Sequence, residues 1–280
     1  ADRIQTLTFN VPMTESFLIV NKMGKTQAGT SSNQQEDNKK LEITDKLKIL
    51  CLHGYRQNAD SFKSKLGSFR KFVGKYAEFT FITAPHQAPP LDGTPEDADI
   101  SDQKSWWFNK DDGTFKGTNV GGPAFGFEES LKYVEKVWTE QGPFQGLLGF
   151  SQGACFVGLI CGISHKNMTS IKPSFAVLSS GFTSGSLVHK NFYESTLEIP
   201  SLHIYGENDD IIPHEMSEKL AAVFQDPDIL THPGGHYFPA TAQQKSTYVA
   251  FFQDRLEEYL TEKELEAAPE TEPIAADSSS

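Results

Sequence analysis

The stretch LLGFSQGAC, residues 147–155, sets one serine between two glycines directly after an apolar run. It admits two readings: a tight turn with a hydrogen-bonded serine, or a strand-to-helix elbow carrying a nucleophile. An elbow holds its serine in a strained backbone conformation, and small neighbours let adjacent chain approach without a Cβ clash. Gly149 and Gly153 stand at those positions. The residues before Ser151 have the composition of a buried strand, and QGACFVGLICGI after it suits a helix packed on a sheet. Ser151 is then expected at the carboxyl end of a strand, beside a helix N-terminus, where crevices of open α/β sheets form.

The rest of the chain repeats that rhythm. Short apolar runs at 46–54, 79–85, 144–151, 174–182, 200–209 and 228–236 are bounded by turn residues and read as buried parallel strands. Segments at 57–73, 126–141, 152–165, 214–225 and 241–260 have helical spacing, with Phe127, Leu131, Val134 and Trp138 on one face of the second. Alternating strands and helices predict an α/β fold with crossover helices over a twisted sheet. The long interval from Gln87 to Gly122 interrupts the pattern and is expected to wall or cover a binding cleft.

A serine hydroxyl is a weak nucleophile near neutral pH and needs a base, oriented in turn by a carboxylate. In a hydrolase of this topology the order along the chain is serine, acid, histidine. LHIYGENDDIIP (202–213) leaves a strand for an acidic turn in which Asp209 is favoured, with Glu207 and Asp210 as rivals. THPGGHYFP (231–239) follows the last strand, and its paired glycines allow the loop to bring His236 over the sheet, with His232 as the rival base. CLHGYRQN (51–58) supplies the second loop of an oxyanion hole, with the Tyr55 amide first and that of Arg56 second. The other donor is the amide of Gln152, the residue after the nucleophile.

Composition excludes several other functions. The 280 residues carry a net charge of -12, which disfavours nucleic acid and anionic membrane surfaces as partners. No apolar run reaches the roughly 20 residues that cross a bilayer. Together with the absence of a leader-like start, this predicts a cytoplasmic protein. Cys51, Cys155 and Cys161 lie in apolar contexts and read as reduced, buried thiols, and no His/Cys cluster has zinc-ligand spacing, so no metal or cofactor is expected. The boundaries are expected at a partly flexible extension over 1–45, a catalytic domain over 46–260 and an acidic disordered tail over 261–280. From Glu262 onward that tail has six acids against one lysine.

Taken together, LHGYRQN, SWWF, GPFQGLLGFSQGA, IYGENDDIIP and HPGGHYFP resemble the family that includes the fungal serine hydrolases and the animal ovarian-tumour-associated esterase, over about residues 46–260. The resemblance implies an α/β-hydrolase fold with little or no cap, a small acyl ester as substrate and Ser151, Asp209 and His236 as the triad. Some fungal relatives release acyl chains from carriers as thioesterases, which leaves an acyl-thioesterase as the alternative, with a ligand-binding protein further behind. It also implies that Trp106, Trp107 and Phe108 help wall the acyl side of the cleft. Spacing alone does not show this, because adjacent aromatics alternate sides and at least one is expected in the core. The segment 183–198 and the 87–122 loop are expected to decide selectivity.

Overall fold

A computed structural model describes residues 45–267 of the chain. The extension up to residue 44 and the tail from 268 lie outside the described residues. In chain order the elements are β1 (Leu47–Leu52), α1 (Ala59–Lys65), α2 (Gly67–Val73), β2 (Ala77–Ile82), β3 (His86–Gln87) and β4 (Lys104–Ser105). There follow α3 (Phe127–Gln141), β5 (Gly146–Phe150), α4 (Gln152–His165), β6 (Phe175–Ser179) and a 3-10 helix over Leu187–Tyr193. The last are β7 (Ser201–Gly206), α5 (His214–Ala221), β8 (Asp228–His232) and α6 (Lys245–Ala267).

Six strands form one parallel sheet in the order β2-β1-β5-β6-β7-β8. Alternation along each strand sends side chains to two cores. Leu50, Leu52, Leu147 and Leu178 pack with Val134 of α3, Phe156 of α4 and Leu220 of α5. Ile49, Cys51, Leu148 and Val177 pack with Phe62 of α1, Phe69 of α2 and Phe252 of α6. Helices therefore cover both faces, as a sheet made of apolar runs requires.

The chain steps outward from β1 to β2 and then crosses back to β5, so the winding direction reverses between β1 and β5. A crevice opens at the carboxyl ends of two strands where such a reversal occurs. The loops that leave β1 and β5, Gly54–Gln57 and the turn at Ser151, meet there.

Three elements differ from the sequence-based expectation. The helix expected over 57–73 is two helices that join at Leu66, with Gly67 opening the second. The first is closed by a capping box, in which the Asn58 side chain accepts from the Ser61 amide and the Ser61 hydroxyl accepts from the Asn58 amide. The last helix runs seven residues past 260, because Glu, Lys, Leu and Ala are strong helix formers even on an exposed face, and Lys263 meets Asp45 at 2.5 Å. The 87–122 interval, expected to be an irregular loop, contains β4, which pairs antiparallel with β3 at its start; as expected of a fold with little or no cap, it holds no cap helix among the described residues.

Candidate active site

Ser151 sits between β5 and α4 with φ 53 and ψ -115, a conformation that a residue with a side chain adopts only when its surroundings force it. The surroundings do so on both sides. A Cβ on Gly149 would lie 2.4 Å from the Gly153 carbonyl oxygen, and a Cβ on Gly153 would lie 2.1 Å from that of Leu52. The Ser151 amide donates to the Ser179 carbonyl at the end of β6 (2.8 Å), which pins the turn to the neighbouring strand. The first twelve residues of α4 are buried, so the helix that follows cannot shift to relieve the turn.

The Ser151 hydroxyl lies 2.9 Å from Nε2 of His236, and Nδ1 of that ring lies 2.8 Å from Oδ2 of Asp209. The other carboxylate oxygen, Oδ1, accepts from the amides of Ile211 (3.0 Å) and Ile212 (2.9 Å). Burial by itself raises the Asp209 carboxyl, but the hydrogen bonds from His236, Ile212 and Ile211 outweigh it and hold the group below the ordinary carboxylate range. The acid is thus ionised and fixed in its rotation.

The three side chains favoured from sequence are brought together, and their rivals are not. Glu207 and Asp210 point to solvent. His232 is buried, with Nδ1 accepting from the Gly234 amide at 3.2 Å and its ring 4.8 Å from that of Tyr237. The histidine loop is tied to the acid turn by Asn208, whose side chain donates to the Pro233 carbonyl at 2.7 Å and whose amide donates to that of Gly234 at 3.1 Å.

The loop after β1 separates the two oxyanion candidates. The Arg56 amide donates to the Lys104 carbonyl at 2.8 Å and is occupied. The Gly54 amide reaches Oε1 of Gln57 (3.1 Å), and the Gln57 amide reaches the Gly54 carbonyl (3.2 Å). Among the described residues the amides of Tyr55 and Gln152 have no protein acceptor. These are the two donors expected at a helix N-terminus and its facing loop.

The aromatic block sits deeper than expected. Trp106 and Trp107 are fully buried, so neither ring faces the cleft. Trp106 donates from Nε1 to the His53 carbonyl (2.8 Å) and packs on Phe156, while Trp107 packs among Phe115, Phe127 and Phe156. Both are drawn inward because their segment is irregular and does not alternate like a strand. Phe108 is half-buried, bonded through its backbone to Phe125 and close to the His86 ring. Beyond the backbone amide expected to act, the buried side chain of Gln152 holds this segment. It donates from Nε2 to the Trp107 carbonyl (2.8 Å), and its Oε1 accepts from the Trp106 amide (3.0 Å).

Two groups of residues escaped the sequence reading. Phe115 lies 5.4 Å from the Tyr55 ring and 6.3 Å from that of Phe182, and Gly117 packs against Phe182 and Ile212, so this part of the 87–122 interval folds against the loop that carries Tyr55. A cavity of about 250 Å³ opens beside His236, lined by Phe62, Lys65, Phe150, Tyr237 and Phe238. No motif carries these contacts: Phe115 lies in a polar run, and Phe62 looks like any apolar helix residue.

The serine hydrolase family described as FSH1 matches residues 43–248. The chain belongs to that family. It is 63% identical over 254 residues to a Drosophila melanogaster protein named Esterase CG5412, covering 91% of this chain and 89% of the relative. It is 40% identical over 219 residues to Esterase OVCA2 of Danio rerio, covering 74% of this chain and 96% of the relative. In fold it resembles the crystal structure of Zea mays acyl-protein thioesterase 2, with TM-score 0.53, 18% identity, and coverage of 75% of this chain and 94% of that one. The chain is therefore a hydrolase with an α/β-hydrolase fold. Among the described residues no helix is long and apolar enough to cross a membrane.

Proposed function

We propose that this serine hydrolase cleaves carboxylic esters by two-step acyl transfer, with Ser151 as nucleophile, His236 as base and Asp209 as its orienting acid. The unbroken hydrogen-bonded chain from the Ser151 hydroxyl through His236 to Asp209 carries the reading. Neutral His236 takes the Ser151 proton at Nε2 as the oxygen attacks the ester carbonyl. The carbonyl oxygen becomes an oxyanion and accepts hydrogen bonds from the Tyr55 and Gln152 amides. His236 then returns the proton to the leaving alcohol, which departs as the acyl-enzyme forms. Water repeats the sequence: it gives a proton to His236, attacks the acyl carbon, and releases the carboxylic acid as Ser151 recovers its proton. Asp209 holds Nδ1 as the protonated nitrogen and stabilises the imidazolium.

The substrate is read as a small acyl ester. The relatives named esterases at 63% and 40% identity support the bond type. A thioester presents the same carbonyl to the same groups, so rates on a matched ester and thioester rank the two. A cytoplasmic setting fits the three buried, unbridged thiols Cys51, Cys155 and Cys161.

The test is Ser151→Ala. Fluorophosphonate labelling and turnover of p-nitrophenyl esters are expected to disappear, while circular dichroism and the melting temperature stay near those of the parent. Undiminished turnover would overturn the assignment.

A further inference from the structure

His53 is a fully buried histidine in the loop that holds the Tyr55 amide, and it takes no part in the proton transfers above. Its ring is read from both sides. Nε2 lies 2.9 Å from the Ala84 amide, which can only donate, so Nε2 is the bare nitrogen. The ring proton is then on Nδ1, which lies 2.7 Å from the Gly54 carbonyl oxygen and donates to it. That carbonyl belongs to the peptide group whose N–H is that of Tyr55. A trans peptide is planar with its C=O and N–H pointing in opposite directions, so fixing one end aims the other.

We infer that His53 is a positioning residue for the reaction: its Nδ1–H holds the Gly54 carbonyl and thereby aims the Tyr55 N–H at the oxyanion. The inference rests on the proposed role of Ser151 and the Tyr55 amide. Every other N–H in the 54–57 turn has an acceptor of its own, and the Tyr55 N–H is the one aimed elsewhere. The donated hydrogen bond also polarises the peptide, which makes its N–H a better donor to a developing negative charge. Burial keeps the ring neutral by pushing its pKa down to about 4. The loop is further secured where the Trp106 indole donates to the His53 carbonyl and where Gly153 of the elbow packs against that same carbonyl. His53 therefore joins the two halves of the oxyanion hole.

The experiment compares His53→Leu, which removes both hydrogen bonds, with His53→Asn, whose side-chain amide can still donate to the Gly54 carbonyl. For His53→Leu, kcat on a p-nitrophenyl ester is expected to fall about 10- to 100-fold with KM nearly unchanged. Inhibition by an alkylboronic acid, which forms a tetrahedral adduct on serine, is expected to weaken in step. His53→Asn should recover at least half of the loss on a logarithmic scale. An unchanged kcat in His53→Leu, or equal losses in both variants, would overturn the inference.

If both variants fail to fold, NMR of the unmodified protein decides. A ring protonated at Nδ1 and a Tyr55 amide proton that moves downfield on boronic acid binding support the proposal. A ring protonated at Nε2 overturns it. Ser151→Ala run alongside separates the two claims: full activity in that variant removes the underlying mechanism, whereas an inactive Ser151→Ala beside a fully active His53→Leu removes only the role of His53.

Discussion

The Ser151 elbow and the histidine loop meet at one hydrogen bond but are held by different balances of force. The elbow lies between β5, which is buried throughout, and the buried face of α4, and main-chain atoms touch main-chain atoms at Gly149 and Gly153. The histidine loop leaves β8, an exposed edge strand; the carbonyls of Gly234 and Gly235 approach Gly206 closely, and hydrogen bonds from Glu207, Asn208 and Gly234 hold the rest. Packing thus does most to set where Ser151 stands, whereas polar contacts share that task at His236. Change at the glycines that support the elbow should therefore show first as lost stability, and change at the loop first as lost rate.

The largest effect expected is on rate. His236→Ala should lower kcat by about ten-thousand-fold or more with the melting temperature little changed. A melting temperature that falls steeply would mean that the loop is structural as well and would break the contrast. At the elbow, Gly153→Ala drives a Cβ to 2.1 Å from the Leu52 oxygen and should cost about 3 kcal/mol, read as a fall of roughly 10 °C in thermal melting. A variant that melts with the parent would show the contact to be soft.

Acid should separate the regions again. Burial pushes His53 and His189 down to about 4 and His203 to about 3, from an ordinary value of 6.5. Because these folded values lie below the unfolded one, the unfolded chain takes up protons first. Stability is full above about pH 6.5 and is lost as pH falls toward 4, by roughly 2 kcal/mol per histidine between pH 7 and 5. Denaturant midpoints measured across that range check the slope, and a flat profile would contradict it. The smallest effect is Asn208→Ala, which removes one bond to the Pro233 carbonyl and should lower kcat about five-fold, equivalent to about 1 kcal/mol, with unchanged melting.

The same contrast explains what could be read in advance. The elbow was legible because steric rules act over neighbouring residues: G-x-S-x-G specifies its own geometry, and α4 begins at Gln152 and ends at His165 as its composition predicts. The proposed acid and base were legible as residue types at strand ends, although favouring His236 over His232 required the direction of a glycine-rich loop. What stayed hidden depends on contacts distant in sequence. The inward turn of both tryptophans belongs to an irregular backbone that the Gln152 side chain binds from 45 and 46 residues away. The 87–122 interval was expected to cover a cleft, but the contact of Phe115 with Tyr55 and Phe182 follows from how an irregular loop folds, and no periodicity announces that. The helical residues beyond 260 were hidden differently, since an exposed helix rich in Glu and Lys has the composition of a solvated tail.

The contact of Gly153 with the carbonyls of Leu52 and His53 has an evolutionary meaning. The loops that bear the two proposed oxyanion amides touch through backbone atoms, so the spacing of the loops is a property of peptide dimensions, within which the His53 side chain aims one donor. Drift in the surrounding loops can then enlarge, narrow or recolour the cleft while that spacing stays constant. Descendants of such a scaffold can change the acyl and alcohol groups they accept without having to rediscover the reaction.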